Sequence, residues 1–350
     1  MKGLAVGDLF IPKERMAELF GNEGVREFVT EILMVEFECK DRDDVRRKIR
    51  NMEANGPDSE PAPSDLKRFI GDADILAVHL CPVSRSILER ANKLRVVCTA
   101  RGGVDNIDMA ALNERLIPVI NTPHHNTNAV TEYVVGLMIA ETRNIARSHF
   151  ALRNGTWRER YPNTEFIPEL SGSKIGILGF GQIGRAVAKK LKPFDVEILV
   201  YDPYVNKETV QESGYRSVDL GTLLRESDIV SLHVRLTDST RGMIGEEELR
   251  TMKPSSYIIN TARAGLIDLN ALVRALKENW ISGAAIDVYE EEPAPLHHPL
   301  FTLDNVTVTN HRAGDTRNAY WNAPVLMGKQ LAMLLRGQKP RFVVNPEVLE

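Results

Sequence analysis

Lys174-Ile-Gly-Ile-Leu-Gly-Phe-Gly-Gln-Ile-Gly184, followed shortly by Ile198-Leu-Val-Tyr-Asp202, decides the fold of this 350-residue chain. The apolar run Ile175–Leu178 predicts a strand entering a glycine-rich turn, and Gln182–Leu191 predicts the helix leaving it. Gly179 permits the tight turn, Gly181 lets phosphates approach the backbone, and Gly184 permits close helix–strand packing. The helix start at Gln182-Ile183 then offers unsatisfied N–H groups and a partial positive charge to a pyrophosphate. Asp202 lies 18 residues beyond Gly184 (202 − 184), near the spacing of about 20 for an acid that bonds a ribose 2′-hydroxyl. A carboxylate there repels a 2′-phosphate, so the pattern favours NAD over NADP.

Outward from this loop, short apolar runs alternate with amphipathic segments. Strands are expected at Leu4–Val6, Ile32–Phe37, Ile75–Leu80, Val96–Thr99 and Val119–Asn121. A second series is expected at Ile175–Leu178, Ile198–Tyr201, Ile229–His233, Tyr257–Asn260, Ala284–Val288 and Val306–Thr309. Strands alternating with helices make parallel β-α-β units, so the fold class is α/β, with doubly wound parallel sheets in two domains. The second series forms a six-stranded dinucleotide-binding core. Residues 126–147 read as one long helix, apolar from Val134 to Ala140, buried between domains or paired with a second subunit. Ala323–Leu335 reads as a C-terminal helix. Glu53–Pro63, polar and proline-rich, reads as a surface loop.

Bulk properties narrow the function. A chain of 350 residues fits about two domains at roughly 100–200 residues each, and a 43% hydrophobic content supplies two cores. A net charge of −4 gives no electrostatic reason to expect nucleic acid or an anionic membrane. Cys39, Cys81 and Cys98 have no paired metal-ligand spacing and read as reduced thiols; no metal site is expected. The N-terminus reaches Asp8 too early for a signal peptide, and no apolar run approaches the roughly 20 residues that span a bilayer. A cytoplasmic location is expected.

Ligands of doubly wound sheets sit at the carboxyl ends of the strands. Gly179, Asp202, His233, Thr261-Ala262-Arg263, Asp287 and His311 each follow a strand at that edge. Arg263 can hold a carboxylate in a bidentate way and polarise the neighbouring carbonyl. His311 can give a proton to a carbonyl oxygen and take it back. Glu292 can orient that imidazole and favour its charged form. A cation, a carboxylate and an imidazole beside a nicotinamide cofactor are the parts needed to move a hydride to or from a 2-oxo acid.

From about Leu94 onward the chain resembles the D-isomer-specific 2-hydroxyacid dehydrogenases. The resemblance is carried by Gly179–Gly184, Asn260-Thr-Ala-Arg-Ala-Gly-Leu-Ile-Asp268, Asp287–Pro293 and His311–Gly314, with the intervals 292 − 263 = 29 and 311 − 292 = 19. It implies Arg263, Glu292 and His311 as the catalytic trio. It also implies Gln182, Ile183, Asp202, Thr261, Ala262, Arg263, Asp287 and His311–Gly314 as cofactor residues, Gly314 included. Arg101-Gly102-Gly103 resembles the family loop whose backbone N–H groups meet the substrate carboxylate, beside Arg263 and His311. A flavodoxin-like substrate domain, 1–122 completed by 312–350, would face a Rossmann cofactor domain, 123–311, across a cleft, and the protein would be a homodimer.

Three positions depart from the family pattern: Asn310 and Arg235, where proline is usual, and Arg312, where a small or aliphatic residue is usual. Arg101, Arg312 and His124-His125 add positive charge, which raises the possibility of a larger or more anionic acid, such as a sugar acid or 3-phosphoglycerate. Glu292 argues against formate dehydrogenase, which carries glutamine at that place. An NAD(H)-sensing corepressor-like protein keeps the same trio and stands as the alternative, as does a D-3-phosphoglycerate dehydrogenase. The chain stops 39 residues beyond His311 (350 − 311), too few for the C-terminal regulatory domain many of the latter carry.

Overall fold

A computed structural model describes residues 1–350 and divides them into two compact units, Met1–Asn126 with Asp315–Glu350, and Thr127–Gly314.

The first unit is built on five parallel strands: β1 (Lys2–Gly7), β2 (Glu31–Glu36), β3 (Ile75–Val78), β4 (Val96–Thr99) and β5 (Val119–Ile120), in the order β2-β1-β3-β4-β5. Both faces are apolar because both are covered, as parallel sheets require. Leu4, Val6, Leu76, Val78 and Val97 point into one core. Ala5, Ile75, Ala77, Val96 and Cys98 point into the other. The helix Arg317–Leu335 closes that second face with Ala323, Met327 and Leu331. It starts six residues before the expected Ala323, because Thr316 caps it at Ala319 N–H (3.1 Å) and Pro324 is carried inside the helix. Glu53–Asn55 also depart from the expected loop, since they finish the helix Arg42–Asn55 before Gly56 turns the chain at φ +81°.

The second unit holds seven parallel strands: β6 (Lys174–Leu178), β7 (Glu197–Tyr201), β8 (Arg216–Ser217), β9 (Ile229–Leu232), β10 (Tyr257–Asn260), β11 (Gly283–Ile286) and β12 (Val306–Val308). Their order is β12-β11-β10-β9-β6-β7-β8. The seventh strand, β8, is two polar residues on the edge beside β7. It has no apolar run, so hydrophobic pattern could not mark it.

The helix expected over 126–147 is two helices, Thr127–Thr142 and Ile145–Arg153. Asn144 breaks it in a left-handed conformation (φ +56°) that asparagine tolerates better than most residues. Its buried amide donates to Asn163 Oδ1 at 2.7 Å. Val134, Leu137 and Met138 of the first helix join Val187, Ala188 and Leu191 in a core on the second sheet. No helix is long and apolar enough to cross a membrane.

Candidate active site

In the second unit the strand order reverses between β6 and β9, and the glycine loop stands at that switch point. Gly179 has φ +96°, and a Cβ there would lie 2.8 Å from the His233–Val234 backbone. A Cβ on Gly184 would lie 2.0 Å from Gly179 O, so this glycine is needed for the helix to seat against its strand. A Cβ on Gly181 would meet open space. Gly181 is thus free of internal packing demands and leaves room for a ligand against the backbone. The helix Gln182–Leu191 begins there without a side-chain cap, so its first N–H groups suit a pyrophosphate.

Asp202 does more than present a carboxylate. Its Oδ2 accepts from Phe180 N–H (2.7 Å) and its Oδ1 from Tyr204 N–H (2.9 Å). It therefore ties the end of β7 to the glycine loop while keeping lone pairs for a ribose hydroxyl. His233 is half-buried, bonded through Nε2 to Ser231 Oγ (3.0 Å), and desolvation pushes its imidazole down to about 3. It is a neutral ring at working pH.

After β10, Asn260 organises the turn that holds Thr261, Ala262 and Arg263. Its Oδ1 accepts from Ala262 N–H (3.0 Å) and its Nδ2 donates to Arg263 O (2.9 Å). Arg263 is exposed. One of its N–H groups donates to Ala262 O (2.7 Å), and no carboxylate of the chain pairs with it. An unpaired guanidinium at this edge can take an external carboxylate.

Glu292 and His311 meet. Glu292 Oε2 lies 2.7 Å from His311 Nδ1, and Oε1 accepts from Tyr289 N–H (3.0 Å). A carboxylate acceptor fixes the tautomer: Nδ1 carries a proton and Nε2 is the atom left to face a reactant. The pair is about half exposed, at 47% for the histidine side chain and 36% for the glutamate. His311 itself has φ +55°, a left-handed conformation uncommon for a residue with a side chain.

Asp287 is what holds that conformation. It is fully buried, and its Oδ1 accepts from Thr309 Oγ1 (2.6 Å) and Arg312 N–H (2.9 Å), its Oδ2 from Ala313 N–H (2.9 Å). Asp287, expected among the cofactor residues, thus spends Oδ1 on two donors and Oδ2 on one, all in the loop around His311. Tyr289 adds a second tie, donating from Oη to Thr309 O at 2.8 Å. Asn260 and Tyr289 stand within the quoted motifs and Thr309 within an expected strand, but the sequence assigns none of them a role. Their types and spacings resemble any turn, and only the fold brings them against the site. Gly314 ends the second unit, and Arg101, Gly102 and Gly103 lie in the first, in the loop after β4.

Residues 135–313 match the profile of the D-isomer specific 2-hydroxyacid dehydrogenase NAD binding domain. The chain belongs to the D-isomer-specific 2-hydroxyacid dehydrogenases. It is similar to a glyoxylate reductase of Thermofilum pendens, 43% identical over 298 residues that cover 84% of this chain and 87% of that one. A D-3-phosphoglycerate dehydrogenase of Methanocaldococcus jannaschii is 42% identical over 80% of this chain but 53% of its own length. Among solved structures, the apo D-lactate dehydrogenase of Escherichia coli superposes with a TM-score of 0.69 at 25% identity, covering 98% of this chain and 100% of that one. As a 2-hydroxyacid dehydrogenase the protein is an oxidoreductase whose cofactor is NAD, and the open cradle at Gly181 and the ring of loops at the sheet's carboxyl edge fit that group.

Proposed function

We propose that this dehydrogenase interconverts a D-2-hydroxy acid and its 2-oxo acid through Arg263, Glu292 and His311. The observation that carries the reading is the 2.7 Å contact between Glu292 and His311 Nδ1, because it leaves Nε2 as the one proton-transfer atom of an oriented ring. Reduction adds a hydride to the carbonyl carbon and a proton to its oxygen, and bound NADH supplies the hydride. His311 gives the proton from Nε2, Glu292 stabilises the tautomer and the charge that the ring carries before transfer, and Arg263 binds the substrate carboxylate. In oxidation His311 takes the proton back. Asp202, His233, Thr261, Ala262 and the start of the helix at Gln182-Ile183 would hold the cofactor, with the first unit, through Arg101-Gly102-Gly103, presenting N–H groups to the acid.

The same reading includes a homodimer through the second unit. Phe150, Trp157 and Phe166 are 71%, 80% and 75% exposed on 145–167, an apolar surface of the kind that marks an interface. Light scattering at a dimer mass, lost in Trp157→Glu, would support it. A cytoplasmic setting agrees with three cysteines that form no disulfide.

The test is NADH oxidation with glyoxylate, pyruvate, hydroxypyruvate, 3-phosphohydroxypyruvate and sugar-derived 2-oxo acids, each repeated with NADPH. Turnover of at least one acid with NADH is expected, together with loss of NADH binding in Gly181→Val at unchanged folding. Silence across the panel in a protein that binds NADH would refute the catalytic reading.

A further inference from the structure

A second histidine–carboxylate pair, unrelated to the trio above, lies in the first unit. His79 Nδ1 is 2.9 Å from Asp8 Oδ2 and 3.2 Å from Oδ1, with side chains 5% and 1% exposed. Asp8 follows β1 and His79 follows β3. These are the strands between which the order β2-β1-β3-β4-β5 reverses, the switch point where a sheet of this order takes its ligand.

Asp8 has no capacity to spare for a ligand. Beyond His79 it accepts from Phe10, Ile11 and Leu80 N–H at 2.9, 3.2 and 3.1 Å. Burial works against its charge, but His79 and these backbone donors outweigh that and hold the carboxyl below its usual range. With an ionised acceptor on one side, Nδ1 carries the proton, and Nε2 has no partner in the protein. Nε2 is also absent from the fully enclosed unpartnered atoms, which are Thr99 Oγ1, Glu141 Oε2 and Thr307 Oγ1. It therefore reaches the surface. The ring is almost wholly buried, is held by a saturated carboxylate, and keeps one nitrogen without a protein partner.

The neighbouring loops share this pattern. His125, in the loop after β5, donates Nδ1 to Thr122 O (2.9 Å) and likewise leaves Nε2 unpartnered. Arg101, in the loop after β4, has only long contacts, 3.5 Å to Asn106 Oδ1 and 3.5 Å to Asp105. Asn106 in turn donates to His79 O (3.3 Å) and Cys81 O (2.8 Å), tying the two loops together. His125 is held below the ordinary histidine range by burial first, then by the like charge of His79, Arg101 and His124. Three chargeable side chains thus stand on neighbouring loops at one sheet edge, each with donors left over.

We propose that His79, Arg101 and His125 form a binding site for a doubly charged oxyanion, a phosphate or a second carboxylate, with Asp8 as the residue that aims His79. The occupant is either free anion or the distal acid group of an anionic 2-oxo acid, and only the second depends on the function proposed above. Each Nε2, once protonated, donates to the anion, and the guanidinium completes a charge-assisted set. Anion binding replaces the mutual repulsion of these groups with attraction.

The experiment is titration of the full chain with inorganic phosphate, read by imidazole NMR signals and calorimetry, so that no turnover is needed. The groups that act on the two rings are Asp8 on His79, Arg101 and His124 on His125, with Asp105 beside Arg101, and, from the helix Arg317–Leu335, Tyr320, whose ring centroid is 5.7 Å from that of His79. Phosphate should shift the imidazole signals of both His79 and His125. His79→Gln and Arg101→Gln should each weaken phosphate about tenfold, the worth of one hydrogen bond to a charged group. A KM increase in His79→Gln confined to 3-phosphohydroxypyruvate, with glyoxylate unaffected, identifies the substrate's own anion. Unchanged KM for both acids, with phosphate binding weakened, identifies free anion. No imidazole shift in the unmodified protein, or undiminished phosphate affinity in both variants, overturns the site. If His79→Gln fails to fold, the unmodified protein's NMR titration and Arg101→Gln decide the matter alone.

Discussion

Each unit of this dehydrogenase carries one histidine that donates Nδ1 to a carboxylate, and the two pairs stand in opposite surroundings. His311 and Glu292 are 19 residues apart in sequence and about half exposed; His79 and Asp8 are 71 apart and almost wholly buried. The contacts are nearly equal, 2.7 and 2.9 Å, yet their energetic roles differ. Water screens the first pair, so it contributes roughly 0–1 kcal/mol to folding and can be reserved for chemistry. The second pair has given up its hydration, so each member is needed to keep the other satisfied. Burial therefore decides how much a short histidine–carboxylate contact contributes to stability, whatever the ring's remaining nitrogen does.

This contrast can be broken by mutation. The largest effect is expected for His311→Ala, which should lower kcat about 10²–10⁴-fold, the usual worth of a general acid, while the unfolding midpoint stays put. Full turnover in that variant would end its role as proton donor. Asp8→Ala should do the reverse in kind, costing about 3–5 kcal/mol in urea unfolding because it strands a buried imidazole. A loss below 1 kcal/mol would show that the buried pair relaxes into water.

Asp287→Asn sharpens the comparison, since Asp287 is buried like Asp8 but supports the exposed pair. An amide cannot accept on both sides, so Ala313 N–H or the Thr309–Arg312 side loses its acceptor, at about 1–3 kcal/mol. Stability and kcat should fall together while NADH affinity persists. Glu292→Gln should leave stability within about 0.5 kcal/mol and reduce kcat less than His311→Ala does, with the pH profile altered because the imidazole loses its carboxylate. The smallest effect concerns acid. The Asp8 carboxyl is depressed below its ordinary 3.8, so its contribution is complete above that value and is withdrawn as pH falls through the lower folded value. Urea midpoints measured while acidifying below pH 3.8 should fall more steeply for the unmodified protein than for Asp8→Asn.

Local pattern determined much of this molecule. The strands Val96–Thr99 and Tyr257–Asn260 and the helix Gln182–Leu191 appear with the bounds expected from apolar runs and the glycine turn. Such runs are legible because a strand buried on both faces must be apolar throughout, and a phosphate loop needs glycine for steric reasons that no tertiary contact can waive. Glu292 and His311 could be paired in advance because each follows a strand of one parallel sheet, whose carboxyl ends share an edge. The polar edge strand Arg216–Ser217, the break at Asn144 and the service of Asp287 to the His311 loop were decided by tertiary structure. Each depends on a partner distant in sequence: Leu199 and Val200 for the strand, Asn163 for the break, Ala313 for the carboxylate. The pairing of Asp8 with His79 is the extreme case. Neither residue belongs to a motif, and only the placing of β1 beside β3 turns an ordinary acid and an ordinary histidine into one buried, directed group.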